Sequence, residues 1–289
     1  AITTRGKAFA FHNQEGAVIQ LGERDGVRYR LADYLNDGKR LLLVSDASGE
    51  ERLEIHSREP GVAPKLLDNV EFGRAIDYSV SPTHDRVALT NHRHELLLID
   101  LESQAVTVVD RSLFQRIGGV DWSPDGRWLA YGCSATHQTT EIRLYRLADP
   151  EAADESLREG KVFPVTRPVL RDVRPAFDAD GRYLYFLSYR EFNPVNDTLS
   201  FALSFPRGVR PYLITLQADL PNPFIPQPEE EPEEDEDEED DDELEDDEED
   251  EAGDEDGIDD GDEEDDDRLP LDDDLEGEDP DEYPGDLDD

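Results

Sequence analysis

Apolar positions in the first 228 residues come in short runs broken by polar turns, and the runs repeat. Four segments share one pattern: 34–45, 80–90, 122–131 and 177–188. Each places an apolar residue before a turn, ends the turn in Asp-Gly or His-Asp, adds a base, and enters a β-rich run. Aligning the base puts Lys39, Arg86, Arg127 and Arg182 in one column. The spacing of roughly 40–50 residues is that of a propeller blade. Asp-Gly supplies the positive φ angles of a tight hairpin. The runs that follow, 41–44, 87–89, 128–131 and 183–187, are apolar throughout and read as buried strands. A third strand alternates at 51–55, 95–100 and 141–145, and an outer strand such as 105–109 closes the unit.

The expected fold class is all-β. About four and a half four-stranded blades make a partial β-propeller over 1–226. Complete blades are expected at about 24–67, 71–110, 115–166 and 169–219. Residues 5–21 supply only the last two strands of a blade, with apolar runs at 7–11 and 17–21. A half-blade leaves an unpaired sheet edge. Together with the absence of any Met, this points to a piece of a larger propeller.

Charge divides the chain differently. The formal net charge is -47, from 75 acids and 28 bases. Residues 229–289 hold 43 of those acids and a single base, Arg268. The repeat region is therefore nearly neutral, unlike a salt-adapted surface, and it lacks the basic clusters that nucleic-acid binding requires. Residues 227–289 are expected to be a disordered acidic linker, because so few apolar residues cannot offset the entropy of ordering. A polyacid could also capture basic proteins or hold divalent cations loosely. The spacing of a calcium-binding hand is missing.

Candidate chemistry is sparse. Gly-x-Ser-x-Gly, His-Glu-x-x-His and the phosphate-binding Gly-rich loop are absent. No catalytic, cofactor-binding or metal-binding residue is assigned, and no cofactor is expected. His92 and His94 flank Arg93 at an expected hairpin tip, where a solvated turn is the favoured reading. The single Cys133 reads as a buried structural thiol and suits a reducing compartment. Asp37, Asp85, Asp125 and Asp180 recur at the turns and are expected to accept hydrogen bonds from their own turn backbone. Trp122, Trp128, Tyr131, Tyr183, Tyr185 and Phe186 are expected to pack between blades. No apolar run approaches the roughly 20 residues of a membrane span, and no signal peptide is visible at the N-terminus.

The last blade carries an insertion between its second and third strands, over 189–208. Long loops on a rigid scaffold often carry function. Arg190, Phe192, Asn193, Pro194 and Asp197 are the candidate functional residues there. A packed flap covering a blade edge is the equal alternative.

The segment 181–197 with its Phe-Asn-Pro-Val motif, then 201–206, Pro-Tyr-Leu-Ile-Thr-Leu at 211–216 and Asn-Pro-Phe at 222–224, resembles the seven-bladed propeller of tricorn proteases and their bacterial homologues. Asn196 stands where the resemblance calls for Tyr. The likeness covers about residues 1–226. It implies a parent protein that is a cytosolic serine peptidase, assembled as a hexamer and acting on oligopeptides. The propeller would serve as channel or filter and as scaffold, with an acidic linker following Asn-Pro-Phe. A different possibility is a stand-alone propeller scaffold whose acidic tail binds basic proteins.

Overall fold

The computed structural model describes residues 1–226 apart from 12–15, 23–24, 60, 192, 197–202 and 206–207. The chain divides into Ala1–Pro228 and Glu229–Asp289. The expected acidic linker lies outside the described residues.

The first unit is a succession of antiparallel meanders. β1 (Ile2–Thr4), β2 (Lys7–Ala10) and β3 (Ile19–Leu21) form the first sheet. The second comprises β4 (Tyr29–Tyr34), β5 (Arg40–Ser45), β6 (Arg52–Ser57) and β7 (Lys65–Leu67). The third comprises β8 (Ala75–Val80), β9 (Arg86–Asn91), β10 (Glu95–Asp100) and β11 (Val106–Arg111). The fourth comprises β12 (Gly118–Trp122), β13 (Trp128–Ser134), β14 (Thr140–Arg146) and β15 (Lys161–Pro164). In the fifth, β16 (Asp172–Phe177) and β17 (Tyr183–Ser188) pair in order with β20 (Arg210–Thr215). The short hairpin β18 (Val195–Asn196) and β19 (Leu203–Ser204) intervenes. The second, third and fourth sheets are four-stranded propeller blades at the expected positions. The fifth, expected as a complete blade over 169–219, has three strands among the described residues, its short β18–β19 hairpin pairing apart from them.

The opening sheet has three strands where two were expected. The missed strand, β1, joins β2 through Arg5-Gly6, both at positive φ (49° and 76°). That is the backbone of a two-residue primed turn, but Arg-Gly lacks the Asn or Asp that usually announces one.

The turn between first and second strands repeats its bonding. The N–H groups of Leu35, Ser81, Ser123 and Asp178 donate to the carbonyls of Arg40, Arg86, Trp128 and Tyr183 at 2.8, 2.9, 3.0 and 3.1 Å. Arg86 therefore already begins its strand, and Asp85 stands level with Lys39, Arg127 and Arg182. The column of bases is broken in the third sheet, and that acid has a separate use. Asp85 accepts from Arg40 Nη1 and Nη2 at 2.8 and 2.9 Å, tying the second sheet to the third. Its own turn is braced by Ser81 Oγ instead. Asp37 and Asp125 do accept from their turns. Asp180 pairs with Arg182, while Asp178 takes the N–H groups of Arg182 and Tyr183 at 2.6 and 2.9 Å. The structural role expected of the four acids holds for two turns and is shared out differently in the others.

The second strands β5, β9 and β13 are buried on both faces, which explains their unbroken apolar runs, while β17 leaves Tyr185 and Leu187 half-buried. Leu41 and Leu43, with Tyr29 of β4, pack on Ala8, Ala10 and Leu21 of the first sheet. Leu42 and Val44 pack on Val87 and Leu89 of the third. Ala88 turns toward Leu129, Tyr131 and Cys133 of the fourth, and Ala130 toward Leu184 and Phe186 of the fifth. Polar latches register the seams. Trp122 Nε1 donates to the Ser79 carbonyl at 3.0 Å, and the Phe177 N–H to Asp121 Oδ2 at 2.8 Å. The Tyr78 hydroxyl reaches the carbonyls of Leu31 and Leu42. A bulge in β4, with Leu31 at φ 52°, accompanies the first of these contacts. Tyr131 Oη and Arg143 Nη1 both donate to Asp110 Oδ2, at 2.8 and 2.9 Å.

Truncating a seam residue removes buried area and leaves a cavity. Leu89→Ala is expected to lower the unfolding free energy by about 2–5 kcal/mol in urea titration. Leu203→Ala, at a side chain that is 61% exposed, should change it by no more than ~0.5 kcal/mol.

Candidate functional site

The insertion leaves the fifth sheet after β17 and returns at β20. Its near end is tightly held. Asp172, at the start of β16, is buried, and Ser188 at the end of β17 donates to its Oδ1 at 2.6 Å. Arg190 Nη2 donates to Asp172 Oδ2 at 2.6 Å, and Nε to Oδ1 at 3.2 Å, a bidentate fork. The same guanidinium lies 5.5 Å from the ring centre of Phe186 and 5.4 Å from that of Tyr212. Those rings stack on each other, 5.6 Å apart. The charge thus has a carboxylate partner and two aromatic faces. Glu191 adds a second tie, accepting from Arg210 Nε at 2.8 Å and from Tyr212 Oη at 3.4 Å.

Beyond this clamp the insertion projects. Val195, Leu203 and Phe205 are exposed, and β18 pairs with β19 at Val195↔Ser204 and Asn196↔Leu203. Of the five candidate residues, Arg190 is an anchor at the base, and Asn193 and Pro194 lie on the approach to β18. Phe192 and Asp197 lie outside the described residues. The sequence alone missed Asp172, Ser188, Glu191 and Arg210. An acid at the start of β16 was the available signal, but its partner Arg190 lies beyond the end of β17.

Other positions have plainer surroundings. His92 and Arg93 are exposed in the turn joining β9 and β10. His92 Nδ1 accepts from the Arg74 N–H at 3.1 Å. Cys133 is buried in the seam between third and fourth sheets, and burial pushes its thiol pKa up. Trp122, Tyr131, Tyr183 and Phe186 are buried, while Trp128 and Tyr185 are half-buried. Among the described residues, no group of three or more His, Cys, Asp or Glu is arranged to hold a metal ion. No helix among them is long and apolar enough to cross a membrane.

A succession of three- and four-stranded meanders packed face to face, with the last interrupted between its second and third strands, defines a propeller segment. Residues 1–265 match the family described as the tricorn protease second beta propeller domain, and the chain belongs to that family. The match runs past residue 226 into the acidic stretch. A tricorn protease homolog of Saccharolobus solfataricus is 34% identical over 216 residues, covering 75% of this chain and 18% of the relative. Tricorn protease homolog 1 of Streptomyces coelicolor is 35% identical over 232 residues, covering 78% of this chain and 21% of the relative. The crystal structure of the tricorn protease superposes with a TM-score of 0.65 at 26% identity, over 76% of this chain and 21% of that one. This chain therefore spans about a fifth of the length of these relatives.

The clamp has a signature in pH. Burial alone would raise the Asp172 pKa, but hydrogen bonds from Arg190, Ser188 and Thr166 outweigh it and hold the carboxyl below its ordinary value of 3.8. A depressed folded-state pKa stabilises above the unfolded value, and the gain is lost as pH falls through the folded one. Arg190→Ala leaves a buried carboxylate unpaired and should cost about 3 kcal/mol at neutral pH. The gap between wild type and variant, measured by urea unfolding, should shrink below about pH 4. A gap independent of pH down to about 2 would contradict the assignment.

Proposed function

We propose that this chain is the non-catalytic propeller portion of a tricorn-like serine peptidase that degrades oligopeptides in the cytoplasm. The propeller serves as the path and filter by which peptides reach a catalytic region elsewhere in the parent protein, and as a scaffold for its homo-oligomeric, hexameric assembly. The observation carrying this reading is the match of residues 1–265 to the second-propeller family. Relatives of which the matched stretch is only 18% and 21% leave room for the catalytic parts. The blades offer a scaffold whose seams are dry and latched, and the insertion is firmly held at its base. Such a body can hold a loop or a channel wall in place while peptides pass.

The reading is tested by comparing this chain with the full-length parent on oligopeptide substrates. Turnover is expected only in the parent, and a serine-directed inhibitor should abolish it. Inhibitor-sensitive turnover by the 289-residue chain itself, or a parent with no peptidase activity, would overturn it.

A further inference from the structure

Between the second and third sheets lies a cleft of about 640 Å³ with a surplus of guanidinium groups. Arg28, just before β4, and Arg52, at the start of β6, come from one sheet. Arg74, just before β8, and His92 and Arg93, in the turn joining β9 and β10, come from the other. The glutamates around them are largely committed. Glu51 accepts from Arg30 Nη1 at 2.5 Å and from the Ala75 N–H at 2.9 Å. Glu50 pairs with Arg52 at 3.1 Å. Glu95, 3.4 Å from Arg93, also takes Arg111 and the Asn91 amide. Among the described residues, neither Arg28 nor Arg74 has a carboxylate within ion-pairing distance, and both are exposed. Glu71 is the one acid of the lining without such a partner there.

The floor is shaped for this arrangement. Gly73 sits at φ 73°, and a Cβ there would meet His92 Cε1 at 2.6 Å and Arg93 Nη2 at 3.3 Å. Only glycine lets the ring and the guanidinium lie across it. With His92 Nδ1 accepting from the Arg74 N–H, the neutral ring carries its proton on Nε2 and is a further donor. Two arginines without an acid partner among the described residues, lining one cleft from different sheets, suit a planar two-oxygen anion, which a guanidinium fork grips through paired N–H groups.

We propose that this cleft is a carboxylate-binding site for oligopeptides, taking acidic side chains or a free C-terminus. The proposal rests on the peptide-path reading above and adds to it the chemical group that is recognised. Arg28 and Arg74 make the contacts, and Gly73 keeps the floor open.

Calorimetric titration of the 289-residue chain tests it with three hexapeptides. One is glutamate with both ends blocked, one alanine with a free C-terminus, and one alanine with both ends blocked. At least one carboxylate-bearing peptide should bind at least tenfold tighter than the blocked alanine peptide, and which one does so identifies the source of the carboxylate. The double variant Arg28→Ala/Arg74→Ala should weaken that binding at least tenfold. Arg158→Ala, at an exposed side chain of the fourth sheet's connection, should leave it unchanged, with circular dichroism confirming that each variant is folded. Gly73→Ala offers a second route to the same loss without removing charge. Equal binding of all three peptides, no binding of any, inorganic phosphate binding as tightly as the peptides, or an unaffected double variant would each overturn the proposal. The titration involves no hydrolysis, so its failure is separate from failure of the peptidase reading.

Discussion

The structure depends on strands that are apolar on both faces. A sheet with one wet face needs only alternation, but a blade inside a stack must be covered twice. β5 shows this most fully: Leu41 and Leu43 face one neighbour while Leu42 and Val44 face the other. β9 and β13 continue the arrangement through Val87, Ala88 and Leu89, then Leu129, Ala130 and Tyr131. Among the described residues the buried clusters lie between sheets, so the second, third and fourth sheets each contribute to two shared seams and the first and fifth to one. That is the physical meaning of a repeat whose units cannot bury their faces alone. Small residues at Ala88 and Ala130, opposite large ones such as Tyr131 and Phe186, let adjacent sheets interdigitate.

The polar latches do a different job. Dry seams can slide, and hydrogen bonds across them fix the register. Trp122 to Ser79, Phe177 to Asp121 and Arg40 to Asp85 each join consecutive sheets by a directed contact. The Arg190–Asp172 clamp uses the same device within one sheet, at the point where the chain departs from regular structure. Its cost is a carboxylate taken out of water, offset by a guanidinium fork and two ring faces.

Much of the fold was legible because turn chemistry and two-sided burial leave local marks. The Asp-Gly and His-Asp turns and the apolar runs after them placed β5, β9, β13 and β17 and the insertion after β17. What escaped lacked a local mark. β1 hid behind an Arg-Gly turn, whose positive φ at Arg5 no composition rule announces. The base of the third blade was aligned one residue late, because Asp85 answers to Arg40 in the previous blade and not to its own turn. Arg190 was singled out for its place in a long loop, but its role as an anchor depends on Asp172, which only the sheet brings near. The cleft was invisible for the same reason: Arg28 and Arg74 are far apart along the chain and meet only where two sheets face each other.

Native-state hydrogen exchange on the chain tests the central claim most directly, because it reads the stability of each strand separately. If shared seams hold the fold, the amides of β5, β9 and β13 exchange slowest and at similar rates, while those of β18 and β19 exchange fast. Protection in the β18–β19 hairpin equal to that of β9, or second strands that open blade by blade with unrelated free energies, would contradict it.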